Sequence, residues 1–333
     1  MRIKNCSPFI ILAYYLHIFQ PMGSLRYNIA LIVSNILFGV SFSAYVSLLH
    51  MALQPAQLFV IQLLFSTAVF TPLAFLNPNF LRLSLNDFGS IFIVALLVIF
   101  GWWYLLIAGA AYTNPVDASI ITTIGPIFTL VVAMIVESRC ASKGEILGIL
   151  IAVTGVLVLL FDRGLSLVNE GGEGYGNTLV LCAVVAIAAN TVLIVPVLRR
   201  YGVTAVMGWY YLIGSVLALP LILSEFPTIH LADFSTLQLL DIGYILILGS
   251  ALPMYLLYVG SEHLTATHTA VYRYIQPVVA TILALVRGQT IIDRTNIVGA
   301  VLIFVGMLCV ILTTHRQNFT LGLSSPRHLR QKR

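Results

Sequence analysis

Charge is what this sequence has least of. Of its 333 residues only 9% are Asp, Glu, Lys or Arg, while 59% are hydrophobic. Ordinary soluble domains carry roughly 25% charged residues. No long polar stretch exists that could form a water-soluble domain, so a soluble enzyme, a nucleic-acid binder and a disordered chain are excluded. The isoelectric point of 9.1 does not restore a nucleic-acid partner, because the basic residues are scattered singly or in pairs between apolar runs. The four cysteines, Cys6, Cys140, Cys182 and Cys309, lack disulfide or metal spacing, and no metal or other cofactor is called for. HExxH and GxSxG are both missing, and no histidine lies deep in a span beside a nucleophile, so the reading is not an enzyme. The GxxxxGK[ST] loop of an ATP-driven pump is missing too. A receptor or assembly factor would need a soluble interaction surface, which is hardly present.

What is there is apolar helix. A bilayer-crossing helix needs about 20 mostly apolar residues, and ten segments meet that length: 27–48, 55–76, 88–111, 115–136, 145–162, 177–198, 203–224, 238–260, 265–286 and 295–314. The alternating polarity of a membrane barrel is missing. The fold class is therefore an all-α polytopic membrane protein.

Counting Lys and Arg orients it. With the amino terminus in the cytoplasm, the inside segments hold thirteen basic residues, from Arg2 to Arg333, and the outside loops hold Arg163, Arg287 and Arg294. Both termini are expected inside. Residues 1–26 read as a cytoplasmic segment in which Met22 is an alternative start, and residues 315–333 read as a basic cytoplasmic tail. Short loops and no retention or transit signal point to a bacterial cytoplasmic (inner) membrane.

The chain is written twice. A shift of 151 residues lays Tyr104 on Tyr255, Gly109 on Gly260, Pro126 on Pro277, Gly148 on Gly299 and Gly155 on Gly306. Upstream the match continues at an offset nearer 149. The pairs Gly148/Gly155 and Gly299/Gly306 are two helical turns apart, a spacing suited to close helix packing. Pro126 and Pro277 read as helix breaks or hinges. The repeats run over 27–162 and 177–314. Five spans is an odd number, so the second copy enters from the opposite side, the inverted arrangement used for alternating access.

Residues 111–160, AYTNPVDASIITTIGPIFTLVVAMIVESRCASKGEILGILIAVTGVLVLL, resemble the EamA repeat of the drug/metabolite transporter superfamily, and TATHTAVYRYIQPVVATILALVRGQTIIDRTNIVGAVLIFVGMLCVIL resembles its second copy. The resemblance covers residues 27–314. It implies ten helices in two inverted five-helix repeats, a central cavity, and export or exchange of small metabolites. The acid usual after the fourth helix is present as Glu137, but its counterpart is replaced in the run Arg287-Gly288-Gln289. Gln62 stands where the second helix often carries a base.

Arg273 is the outstanding charge within a span, and such a residue usually faces a cavity or a partner. It reads as an arginine that grips carboxylate or phosphate, with Tyr272 and Gln276 beside it. The structural alternative pairs it with an acid or with carbonyls at a helix interface. Aromatics recur at expected cavity depth as Trp103, Tyr104, Tyr255 and Tyr258, whereas Trp209, Tyr210 and Tyr211 read as an interfacial belt. Asn190, Thr122 and Ser41 complete the substrate-binding candidates, with interhelical hydrogen bonding as the alternative for each. Asp117 reads as part of a helix start, Asn114-Pro115-Val116-Asp117. Glu262 and His263 read as a solvated cytoplasmic turn.

The sequence thus points to a secondary transporter of a small organic metabolite, anionic or zwitterionic and amino-acid-like. The alternatives are an exporter of lipophilic cationic drugs and, behind it, a nucleotide-sugar or phosphate-sugar exchanger. Its partners are a small-molecule substrate and the lipid bilayer, with no nucleic acid. Coupling, direction of transport and the choice between monomer and homodimer stay open.

Overall fold

The computed structural model describes residues 25–51, 53–136, 142–162, 172–229, 234–264, 266–288 and 294–320. The stretch holding Met1 and Met22, together with Glu137, Gln289 and the tail from 321 onward, lies outside them. Among the described residues every regular element is helical. The elements are α1 (Leu25–Met51), α2 (Pro55–Phe75), α3 (Leu85–Ala110), α4 (Pro115–Thr122), α5 (Gly125–Val136) and α6 (Lys143–Asp162). The second half follows with α7 (Glu173–Leu193), α8 (Val195–Tyr201), α9 (Val203–Leu217), α10 (Leu219–Glu225), α11 (Thr236–His263), α12 (Ala266–Val271), α13 (Ile275–Val286) and α14 (Arg294–Thr320).

Local chemistry starts several of these helices. The Ser84 hydroxyl accepts from the Asp87 N–H, and Asn114 accepts from the Asp117 N–H at 2.8 Å with Pro115 in the first turn. Ser142 and Glu145 cap α6 reciprocally, as Ser235 and Gln238 cap α11. Each arrangement satisfies N–H groups that a helix start leaves without an internal partner.

Among the described residues seven helices are long and apolar enough to cross a membrane, and eight if the bent pair α9–α10 is one span. The segments read from sequence as 145–162 and 295–314 fall in α6 and α14, which are not among these; α14 contributes a shorter apolar stretch over 294–306. The span read as a straight 203–224 is bent by 66°, with α9 ending at Leu217 and Pro220 in the first turn of α10. Proline has no N–H to continue the ladder, which accounts for the break.

The repeat is visible in the irregularities. α3 and α11 each contain a π-helical segment, Leu96–Tyr104 and Ile245–Ala251, whose first residues are separated by the upstream offset of 149. The fourth helix of each half is interrupted at matching places, between α4 and α5 and at the 3₁₀ turn Tyr272–Tyr274 between α12 and α13. Equivalent helices meet antiparallel. A Cβ on Gly155 would lie 2.8 Å from the Gly299 carbonyl, and one on Gly306 would lie 2.5 Å from that of Gly148. The pairing 155 with 299 and 148 with 306 requires α6 and α14 to run in opposite directions. The same holds for α2 and α9, where Thr67 meets Ser215 and a Cβ on Gly208 would strike Ala74.

The first helix of each half seats in the other half. α1 packs chiefly against α11 and α13, and α7 against α3, α4 and α5. Those seams surround the buried core, where Leu31, Leu48, Ile107 and Val180 have no exposed surface.

Candidate functional site

Polar side chains gather in one buried layer across the middle of the bundle. The π-helical segment of α3 turns two successive residues, Trp102 and Trp103, inward, each only 3% exposed. Segments of this kind recur at functional sites. On one side of this pair lies Arg273, in the 3₁₀ turn before α13 and 4% exposed. Its Nη2 donates to Thr191 Oγ1 at 3.1 Å, and its guanidinium carbon stands 6.0 Å from the Trp102 ring centroid. Its Nε has no hydrogen-bond partner, and among the described residues no carboxylate lies within ion-pair distance of it.

Neighbouring side chains extend the layer. Gln276 Nε2 donates to Asn35 Oδ1 at 2.7 Å, and Tyr45 donates to Gln62 Oε1 at 3.2 Å. Asn190 Nδ2 donates to the Tyr258 hydroxyl at 3.0 Å, and the Tyr258 ring meets Tyr210 edge-on at 5.9 Å. Among the described residues Gln62 Nε2, Trp103 Nε1 and Asn190 Oδ1 have no partner, although all three residues are buried. A buried unsatisfied polar atom costs about 1–3 kcal/mol, so four in one layer need an occupant or a compensating purpose. Two voids of about 10 Å³ flank Trp103. The first is lined by Gln62, Ser66 and Tyr211, the second by Ser41, Tyr45, Trp102 and Gln276. Each has room for roughly one water.

Of the residues singled out from sequence, Arg273, Gln276, Trp103, Tyr258, Asn190 and Ser41 fall in this layer. Ser41 donates to the Leu37 carbonyl at 2.9 Å, and the Thr122 hydroxyl donates to Ser119 on its own helix. The Tyr272 hydroxyl reaches Asn28 at 2.9 Å. Tyr104 and Tyr255 are not together: Tyr104 packs edge-on against Phe59, while Tyr255 stacks on Phe70 and lines a groove at one end of the bundle. Pro126 opens α5 and Pro277 lies in the first turn of α13. Gly125, beside Pro126, stands against Arg273, with 3.7 Å between its Cβ position and Arg273 Cδ. The break in the first half thus adjoins the arginine of the second.

One sequence reading is corrected. Tyr210 and Tyr211 do not form an interfacial belt; they are 0% and 2% exposed and pack in the core. The face a residue presents decides its burial, not its distance along the span. Tyr45, Asn35 and Thr191 were missed altogether. Their signal was available only as polar residues on otherwise apolar helices.

Both ends of the bundle hold open cavities. One, of about 600 Å³, is lined by Tyr112–Pro115, Glu173, Asp241 and Arg287. The other, of about 610 Å³, is lined by Arg26, Thr204, Tyr255, Glu262 and His263, with His263 stacked on Tyr27 at 3.9 Å. At this second end Arg200 pairs with Asp87, whose carboxylate also accepts from Ser84 and Tyr201. That carboxylate holds the Arg200 guanidinium above its ordinary pKa.

The sequence pattern of the EamA-like transporter family matches residues 25–161 and again 174–312. Two relatives from Bacillus subtilis (strain 168) are similar along much of their length. The uncharacterized transporter YetK is 25% identical over 243 residues, covering 71% of this chain and 69% of the relative. The uncharacterized transporter YyaM is 24% identical over 219 residues, covering 66% and 72%. A solved crystal structure of a protein 18% identical to this chain superposes with a TM-score of 0.59, over 86% of this chain and 98% of that one, which supports the fold. With both halves matched, the chain is an integral membrane protein that belongs to the EamA-like transporter family.

Proposed function

We propose that this protein is a secondary carrier that moves a small organic metabolite, anionic or zwitterionic, by alternating access. In this reading ten spans form two inverted five-helix halves, over 27–162 and 177–314, that rock about the central polar layer. Both termini face the cytoplasm of a bacterial inner membrane, on the thirteen-to-three distribution of basic residues. The single observation that carries the solute class is Arg273: a buried guanidinium with one N–H unsatisfied and, among the described residues, no acid within ion-pair distance. A carboxylate would complete it with charge-assisted hydrogen bonds. Trp103, Gln276, Asn190 and Tyr258 line the solute's place, and Pro126 and Pro277 supply the helix breaks on which the halves move.

Ligand stabilisation of the purified protein tests this, since a molecule that binds only the folded state raises its stability by mass action. Amino acids, organic acids, sugar phosphates and lipophilic cations are compared on wild type and Arg273→Ala. The expected result is stabilisation of wild type by an anionic or zwitterionic compound, lost in Arg273→Ala and partly kept in Arg273→Lys. A response to lipophilic cations alone, equal in wild type and Arg273→Ala, would overturn the reading.

A further inference from the structure

We infer that Asp241 and Arg287 form a second binding site, within the 600 Å³ cavity at the Tyr112–Pro115 end, for a solute carrying both an ammonium and a carboxylate. This rests on the carrier reading above and narrows its solute to the zwitterion.

The two groups form a loose pair. Asp241 Oδ1 lies 3.5 Å from Arg287 Nη2, whereas charge-assisted N–H···O bonds close to about 2.7–2.9 Å. Among the described residues no group hydrogen-bonds the Asp241 side chain, yet the residue is only 6% exposed and lines the cavity. A carboxylate with so little exposed surface gains from a close partner, and among the described residues its pairing with Arg287 is left loose.

Both anchors are held by ordered helix ends. The Ser235–Gln238 capping box fixes the start of α11, placing Asp241 in its second turn. Arg287 caps the far end of α13, its N–H donating to the Leu283 carbonyl at 2.9 Å, and Gly288 turns the chain away at φ 63°. The guanidinium, 35% exposed, has room to swing. An ammonium seated on Asp241 and a carboxylate on Arg287 would replace one loose ion pair by two close ones.

The cavity's size and charge fit that occupant. Small-molecule sites span about 300–1,000 Å³. Among the described residues the lining offers both signs of charge, Asp241 and Arg287, one for each end of a zwitterion. None of the residues that line this cavity lines either central void. Along a regular helix, Arg287 stands on the order of 20 Å beyond Arg273. A solute would therefore meet the two sites in succession.

Matched solutes test it: L-alanine against L-lactate, and L-leucine against L-2-hydroxyisocaproate, each pair differing in ammonium versus hydroxyl. The readout is the concentration giving half-maximal stabilisation of the purified full-length protein. In wild type we expect the amino acid of each pair to act at a concentration about tenfold lower. Asp241→Asn should bring that ratio to one, and the charge-swapped double variant Asp241→Arg/Arg287→Asp should recover part of it. A wild-type ratio of one, or survival of the ratio in Asp241→Asn, would each overturn the site. A wild type that answers anions through Arg273 but never distinguishes the pairs keeps the carrier reading and removes this one. A preference for the amino acids that stands while Arg273→Ala leaves every response unchanged does the reverse.

Discussion

Arg200 sets a single nitrogen, Nη1, 2.6 Å from both carboxylate oxygens of Asp87, across the boundary between the two halves. The Tyr201 hydroxyl donates to the same carboxylate at 2.7 Å, and Asn77 reaches over to Thr204 at 3.1 Å. The loop between α2 and α3 is thereby fastened to the junction of α8 and α9. Asp87→Asn or Arg200→Gln should loosen this fastening and raise labelling of a cysteine placed at Thr204 by a membrane-impermeant maleimide. The swapped variant Asp87→Arg/Arg200→Asp should return labelling toward wild type. Raising salt should mimic the single variants, because Arg200 is 61% exposed and solvent screens the pair.

Gln62 and Trp103 each keep an unsatisfied N–H in the core. Replacing such a group by an apolar one of similar shape removes a desolvation cost. Gln62→Leu combined with Tyr45→Phe, which removes the amide and the hydroxyl it accepts from together, should therefore unfold at the same or higher temperature than wild type while responding less to solute. Loss of stability in this double variant would show that the Gln62 donor is satisfied in the working protein.

Among the described residues Tyr258 supplies the one hydrogen bond that the buried Asn190 side chain makes. Tyr258→Phe should destabilise the protein by about 1–3 kcal/mol by stranding the amide. Asn190→Leu combined with Tyr258→Phe should cost less than the sum of the single changes, the signature of a coupled pair in a double-mutant cycle.

The crossing of α6 and α14 gives a contrast between glycines. Gly155→Val adds atoms 2.8–2.9 Å from the Gly299 carbonyl, Leu302 and Ile303; overpacking of this kind costs about 1–3 kcal/mol. Gly243→Ala, in α11 with nothing within 4 Å of the new Cβ, should be neutral or stabilising by up to about 1 kcal/mol. Unfolding of the two variants side by side checks both signs.

The duplicated glycines and prolines were legible in the sequence because close approach and helix breaking each admit few residue types. Gly155 and Gly306 could be named before their contacts were visible for that reason. The π-helical segments were not, since Leu96–Tyr104 reads as uninterrupted apolar helix and the change lies in hydrogen-bond register. Arg273 stood out because charge within a span is rare. Gln62 appeared only as a departure from a family pattern, and its unsatisfied amide needed three dimensions to be seen. Tyr210 and Tyr211 were misplaced because a linear count of depth ignores both the face a residue presents and the 66° bend beyond it.

The seating of each first helix in the opposite half has a consequence for biogenesis. Asn35 of α1 is completed by Gln276, 241 residues later in the chain, and Ser34 by the Pro253 carbonyl. At synthesis rates of 5–20 residues per second, α1 must wait roughly 10–50 s in the membrane before those partners are made. Through that interval its asparagine and serines face lipid, a translocase or a chaperone. The first span is thus a client before it is a component, and the insertion of α11 and α13 releases it.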